Sequence, residues 1–167
     1  RFRWDYTKDV SSRDLHDYAF ENSVPPVQLP VALPDTLTGR GASLRLDIAD
    51  DVESASDEGA LARCRLTLSF DSYRGEDEIE VRLNNEVLPS SSSTATFGMW
   101  SRLEWTGLPT RLAQVEHDGG RLEFELACPP LRYGENELEV RLVRRTVSQP
   151  DHLVLVDVEL TVQYSRP

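Results

Sequence analysis

The sequence predicts an all-β chain, an antiparallel β-sandwich of about eight or nine strands behind an extended, proline-rich N-terminal arm. Three observations predict it. Apolar residues alternate with polar ones in six separate runs, turn-forming residues separate those runs, and the helical signal is weak. Successive side chains on a strand face opposite ways, so alternation buries one face and wets the other. Strands wet on one face belong to antiparallel sheets, because parallel sheets are covered on both sides. Many such strands between turns pack into two layers.

The elements follow in chain order. Phe2, Trp4 and Tyr6 alternate with Arg3 and Asp5, which suits a short aromatic strand. A polar stretch runs to Asn22, and Pro25, Pro26, Pro30 and Pro34 follow. Proline lacks a backbone donor, so Val27, Leu29, Val31 and Leu33 between these prolines read as an edge strand. Residues 1–39 are therefore expected to be a strand and connector from a preceding domain, and residues 40–167 the sandwich. The strand runs are centred on Leu44–Ile48, Leu66–Phe70, Ile79–Leu83, Leu122–Leu126, Leu138–Leu142 and Val154–Tyr164. In the last run Val154, Val156, Val158 and Leu160 share the apolar face. Asn84-Asn85 is expected to close a tight hairpin, since Asn tolerates positive φ. Arg74-Gly75, Asp118-Gly119-Gly120 and Gly134-Glu135-Asn136 read as turns. Ser90–Ser93 reads as a mobile loop tip. Asp50–Ala62 reads as a loop with one helical turn, because Gly59 interrupts it and its apolar content is small.

Composition narrows the function. The 167 residues carry 18 basic and 29 acidic side chains, a formal charge of −11. That argues against nucleic acid and anionic membranes, which need basic surfaces. No apolar run approaches the roughly 18 residues of a membrane helix. The chain begins RFRWDYTKDV, without an initiator Met or an apolar leader, which predicts a piece of a longer protein. Lys8 is the only lysine among the basic residues. Coding bias explains that, and so does selection for bidentate Arg–carboxylate pairs.

Chemical motifs are sparse. Cys64 and Cys128 share parity with Leu66 and Leu126, so both are expected to point inward, either as buried thiols or as a bridge. Asp47, Asp50, Asp51 and Glu53 lead an acidic stretch. They are the calcium candidates, although no calcium-loop spacing is present and a solvated acidic loop is the better account of them. His16, His117 and His152 each sit beside an acid in what reads as loop sequence, and they are expected to be exposed. No HExxH, GxSxG or phosphate loop occurs. The domain itself is therefore expected to be non-catalytic and to need no cofactor beyond a candidate structural calcium. The aromatics are the candidate binding residues. Trp100 and Trp105 bracket one segment, and Tyr73 and Tyr133 lie in turns, where exposed rings could stack on sugars.

Two segments carry a resemblance. Glu80 to Leu88 (EVRLNNEVL) resembles the V-x-L-N-G-x-x-L hairpin of galactose-binding-like jelly rolls, with Asn85 in place of the family's glycine. Leu131 to Leu142 (LRYGENELEVRL) resembles their later L-x-x-G-x-N-x-L-x-V-x-V strand, and Val154–Tyr164 is similar to their last strand. The resemblance spans about residues 40–165. It implies an accessory jelly-roll domain of the kind appended to glycoside hydrolases and other carbohydrate-active enzymes. Some of these bind glycans, many carry a structural calcium, and others only buttress a catalytic barrel. The implied partner is a glycan or an adjacent catalytic domain of the same chain; a secreted or periplasmic setting is compatible with this, and the compartment itself is left open. No ligand residue of the family can be carried over, because its loops vary. The alternative is a purely structural packing domain, which would expose an apolar patch for its neighbour to cover. A small β-sandwich enzyme is the third class, and no motif speaks for it.

Overall fold

A computed structural model describes residues 3–4, 15–19, 29–33, 41–105, 112–145 and 152–165. It describes side chains for residues 29–33, 41–101, 113–145 and 152–165. The strands in chain order are β1 (Arg3–Trp4), β2 (Leu15–Ala19), β3 (Val31–Ala32), β4 (Ala42–Ile48), β5 (Leu61–Asp71) and β6 (Glu78–Leu83). They continue with β7 (Glu86–Val87), β8 (Ser93–Trp105), β9 (Leu112–Glu125), β10 (Gly134–Arg144) and β11 (Val154–Tyr164). The larger sheet runs β1-β2-β11-β5-β9-β8, with β3 also paired to β11, and the smaller runs β4-β10-β6-β7. Every pairing among the described residues is antiparallel. The fold is the expected antiparallel β-sandwich. Its strands outnumber the expectation because β1, β3 and β7 are two-residue pieces.

One core joins the sheets. Leu44, Ile48, Val81, Leu83, Leu138 and Val140 of the smaller sheet pack with Leu66, Leu68, Phe70, Leu155, Val158 and Leu160 of the larger. Along most strands the alternation reads this face directly. On β11 it does not. A bulge between Leu155 and Asp157 shifts the register, so Leu155, not Val154, is the core residue, and Val156 is also buried. One extra residue in a strand reverses the parity of everything before it.

Several connections depart from the sequence reading. Asn84 and Asn85 do form the tight β6–β7 hairpin, with φ of 50° and 68°. Asp50–Ala62 holds α1 (Val52–Asp57), whose first turn is closed by Asp51 accepting from the Ser54 N–H (3.1 Å) and anchored by buried Val52. That hydrogen bond also holds the Asp51 carboxyl below its ordinary value. Ser90–Ser92 is a single tight helical turn leading directly into β8, with Ser92 Oγ donating to the Pro89 carbonyl. Asp118-Gly119-Gly120 is not a turn. Gly119 and Gly120 lie inside β9, opposite Asp71 and Phe70 on one side and Gly98 and Phe97 on the other. Residues Leu15–Ala19, inside the polar stretch, pair with β11, so the arm adds strands to the larger sheet.

The arginines do make carboxylate pairs. Arg63 and Arg65 meet Glu125, Arg82 and Arg141 meet Glu80, and Arg74 meets Asp118. The Arg63 guanidinium is the main cause that holds the Glu125 carboxyl below its ordinary range. These pairs are solvent-accessible, where each contributes about 0–1 kcal/mol.

Candidate functional site

The long β8–β9 hairpin builds the most distinctive surface. Gly119–Glu125 of β9 pair with β5, but Leu112–Asp118 pair only with β8 among the described residues. The hairpin therefore runs past the end of β5 as a two-stranded ribbon. Loop 72–77 secures its base. The Ser72 N–H donates to the Asp118 carbonyl (2.9 Å), and the Arg74 guanidinium holds the Asp118 carboxylate with two bonds (2.9 and 3.3 Å). Asp77 closes the loop, because Oδ2 accepts from the Arg74 N–H (3.0 Å) while its own N–H donates to the Arg74 carbonyl (3.0 Å).

The two faces of the hairpin differ. On the core-facing side, Phe97 is 50% and Met99 64% exposed. Their exposure shows that, among the described residues, no layer is packed over these two side chains. Tyr73 lies under Phe97, with ring centroids 5.0 Å apart, and fills the space above Gly120, where a Cβ would stand 2.9 Å from Tyr73 Cδ1. The result is a shelf of Phe97 and Met99 flanked by the Arg74–Asp118 pair. Met99 and Asp118 are direct cross-strand partners.

The opposite side carries a stacked polar cluster. The Trp100 indole lies against the His117 ring (4.4 Å, 20°), with the Arg121 guanidinium 5.2 Å from its centroid. The Trp100 Nε1–H donates across the sheet to the Phe70 carbonyl (3.2 Å). His117 Nδ1 lies 2.8 Å from Asp71 Oδ1, and the carboxylate favours the tautomer with a proton on Nδ1. His117 is buried within β9, which corrects the expectation of an exposed loop histidine.

The four candidate aromatics do not form one platform. Tyr73 is 5% exposed and belongs to the core, so its ring has no open face for a sugar. It sits in a turn, but the turn folds it inward over Gly120. Its phenol is pushed up by burial and then by the Asp77 charge. Trp100 is at the same end of the sandwich on the opposite sheet face, and His117 already occupies its ring. Tyr133 is 70% exposed, but it precedes β10 at the other end. The backbone of Trp105 pairs with Leu112, and its side chain lies outside the described residues. Sequence reasoning missed Phe97, Met99, Arg74 and Asp118. The alternation of Phe97 and Met99 was visible, but only the tertiary structure shows that nothing packs under it.

The calcium candidates also fail to converge. Asp47 is exposed on β4, Asp51 caps α1, and Glu53 is exposed on the helix. No group of three or more metal-ligating side chains forms among the described residues. The cysteines are free, Cys64 buried and Cys128 exposed. Cys128 does not share the inward parity, because β9 ends at Glu125 and the chain has left the strand by then. Burial, and then the Glu125 charge, push the Cys64 thiol up to about 12. A thiol reagent at pH 8 is therefore expected to label Cys128 rapidly in the native protein and Cys64 only in denaturant. Rapid native labelling of both would contradict this burial.

No protein-family model matches the chain, and neither does any curated protein or solved structure. No helix among the described residues is long and apolar enough to cross a membrane.

Proposed function

We propose that this chain is a non-catalytic accessory module of a larger carbohydrate-active protein, and that it binds glycan on the Phe97–Met99 shelf. The observation that carries the reading is an exposed aromatic ring flanked by a planar guanidinium–carboxylate pair. Sugar rings present an apolar face to an aromatic side chain and hydroxyls to polar neighbours. The chain also passes repeatedly between sheets, from β4 to β5 to β6 and from β9 to β10 to β11. That crossing supports kinship with jelly rolls, as do the two resembling segments. The shelf replaces Tyr73 and Tyr133 as the binding surface.

A glycan array probed with the wild-type domain and with Phe97→Ala tests this. The expected result is binding to at least one neutral polysaccharide that Phe97→Ala weakens at least tenfold. Silence of the wild-type domain across the array would overturn glycan binding. The same two apolar side chains also favour a second reading, a packing module whose shelf is covered by a neighbouring domain.

A further inference from the structure

β8 is an open sheet edge. Among the described residues it pairs only with β9, and Thr94–Met99 are all exposed, on both faces of the strand. Gly98 has no side chain, so its exposure is exposure of the main chain itself, and a Cβ there would meet nothing within 4 Å. Every second residue of an edge strand directs its N–H and C=O away from the sheet, which makes the edge a template for another strand.

The other sheet edges are blunted and this one is not. β1 and β7 are two residues each, and β4 presents exposed Arg45 and Asp47. Short strands and charged side chains are the usual protection of an edge. Ser93–Ser101 holds no charged residue and no proline, in a chain in which 28% of residues are charged.

We infer that β8 pairs antiparallel with β8 of a second copy of this chain, about a two-fold axis through Gly98. Register and charge choose a second copy. Centred on Gly98, the pairing sets Phe97 opposite Met99 of the other copy, twice, so each exposed apolar side chain gains an apolar neighbour across the strands. Gly98 then faces Gly98, where neither backbone carries a side chain. Two copies of net charge −11 repel, and the neutral strip is the edge at which they meet without setting acid against acid. Because the remaining edges are short or charged, the pairing closes at a dimer. The axis is normal to the sheet, so both shelves stay on one open face. The dimer goes beyond the glycan reading and does not rest on it. One strand pair is a small interface, so dissociation in the micromolar range or weaker is expected.

The test is sedimentation of the whole chain from micromolar to millimolar concentration, with amide exchange and NOEs between differently labelled copies. The expected result is a concentration-dependent rise toward twice the chain mass. Amides within Thr94–Met99 should gain protection, and an intermolecular NOE should join Phe97 to Met99. Thr94→Lys checks the register. Within the chain position 94 faces Glu123, which suits the fold. Across the axis the register sets it opposite Arg102 of the other copy, and like charges directly opposite are unfavourable. Thr94→Lys should therefore weaken the dimer at least tenfold without lowering the urea midpoint. If that variant does not fold, the wild-type exchange and NOE data decide. A monomer throughout the series overturns the inference, and so does a dimer whose protected amides lie outside β8. An unchanged dimer in folded Thr94→Lys, or a dimer without the Phe97–Met99 NOE, overturns it too. Glycan binding by a strictly monomeric chain would overturn the dimer and leave the shelf reading standing.

Discussion

Asn136→Ala is expected to destabilise the domain by about 4 kcal/mol, taking about 1 kcal/mol for each of its four hydrogen bonds. The side chain is fully buried and every bond is specific. Its Oδ1 accepts from Asn84 Nδ2 (2.7 Å) and the Arg132 N–H (2.9 Å), while its Nδ2 donates to the carbonyls of Arg132 and Gly134 (both 2.8 Å). Asn84 extends the network, donating to the Pro130 carbonyl (2.7 Å) and accepting from the Glu137 N–H (2.9 Å). One amide thus ties the β6–β7 hairpin to the loop before β10. Alanine removes the bonds and leaves buried donors and acceptors without partners, which is the costly case. Urea unfolding would measure it, with a lower midpoint and an unchanged slope. Asn136→Asp preserves shape but removes both donors, and it should also be strongly destabilising. A loss under 1 kcal/mol for the alanine variant would mean that water replaces the network.

Gly119→Ala is expected to cost about 3 kcal/mol or more, at the upper end of overpacking effects. A Cβ at this position would stand 2.0 Å from the Phe70 carbonyl oxygen, 2.9 Å from its carbon and 3.0 Å from Asp71 Cα. All three are backbone atoms, so no rotamer change relieves the clash. β5 and β9 would have to separate at the rung where Asp71 faces Gly119. The Phe70 carbonyl also accepts from Trp100 Nε1–H, so the stacked Trp100–His117 cluster should shift with it. Urea unfolding gives the stability, and a changed tryptophan emission in the folded state reports the cluster. Gly59→Ala is the control. Nothing lies within 4 Å of its Cβ, and only its φ of +69° opposes the change, a cost of about 1 kcal/mol. Equal losses at the two glycines would contradict the close approach at Gly119.

Both positions show how the sequence was legible. Asn136 was readable as a backbone-bonding residue beside Gly134, since Asn in a turn commonly bonds nearby backbone. Its link to Asn84, 52 residues away, was not. Gly119 looked like half of a turn, because Asp-Gly-Gly is turn chemistry. In the structure it is a strand residue chosen for close approach. The local signal was the same, and a contact between distant strands gave it the other meaning.

The alternating runs determined the fold class. A period of two can bury its apolar side chains only in layered sheets, and wet opposite faces require antiparallel pairing. The Asn84-Asn85 hairpin was equally local, because positive φ is a property of those residues. Tertiary structure alone decided the candidate site. Whether an apolar side chain on an alternating strand is core or surface depends on whether another layer covers it. Leu122 and Phe124 of β9 are buried in the core shared by the sheets, while Phe97 and Met99 of β8 stay exposed. Tyr73 and Trp100 were singled out as rings, but loop 72–77 turned the first into the core and His117 covered the second. Periodicity tells which side chains share a face, and only the packed layers tell which faces remain open to a ligand.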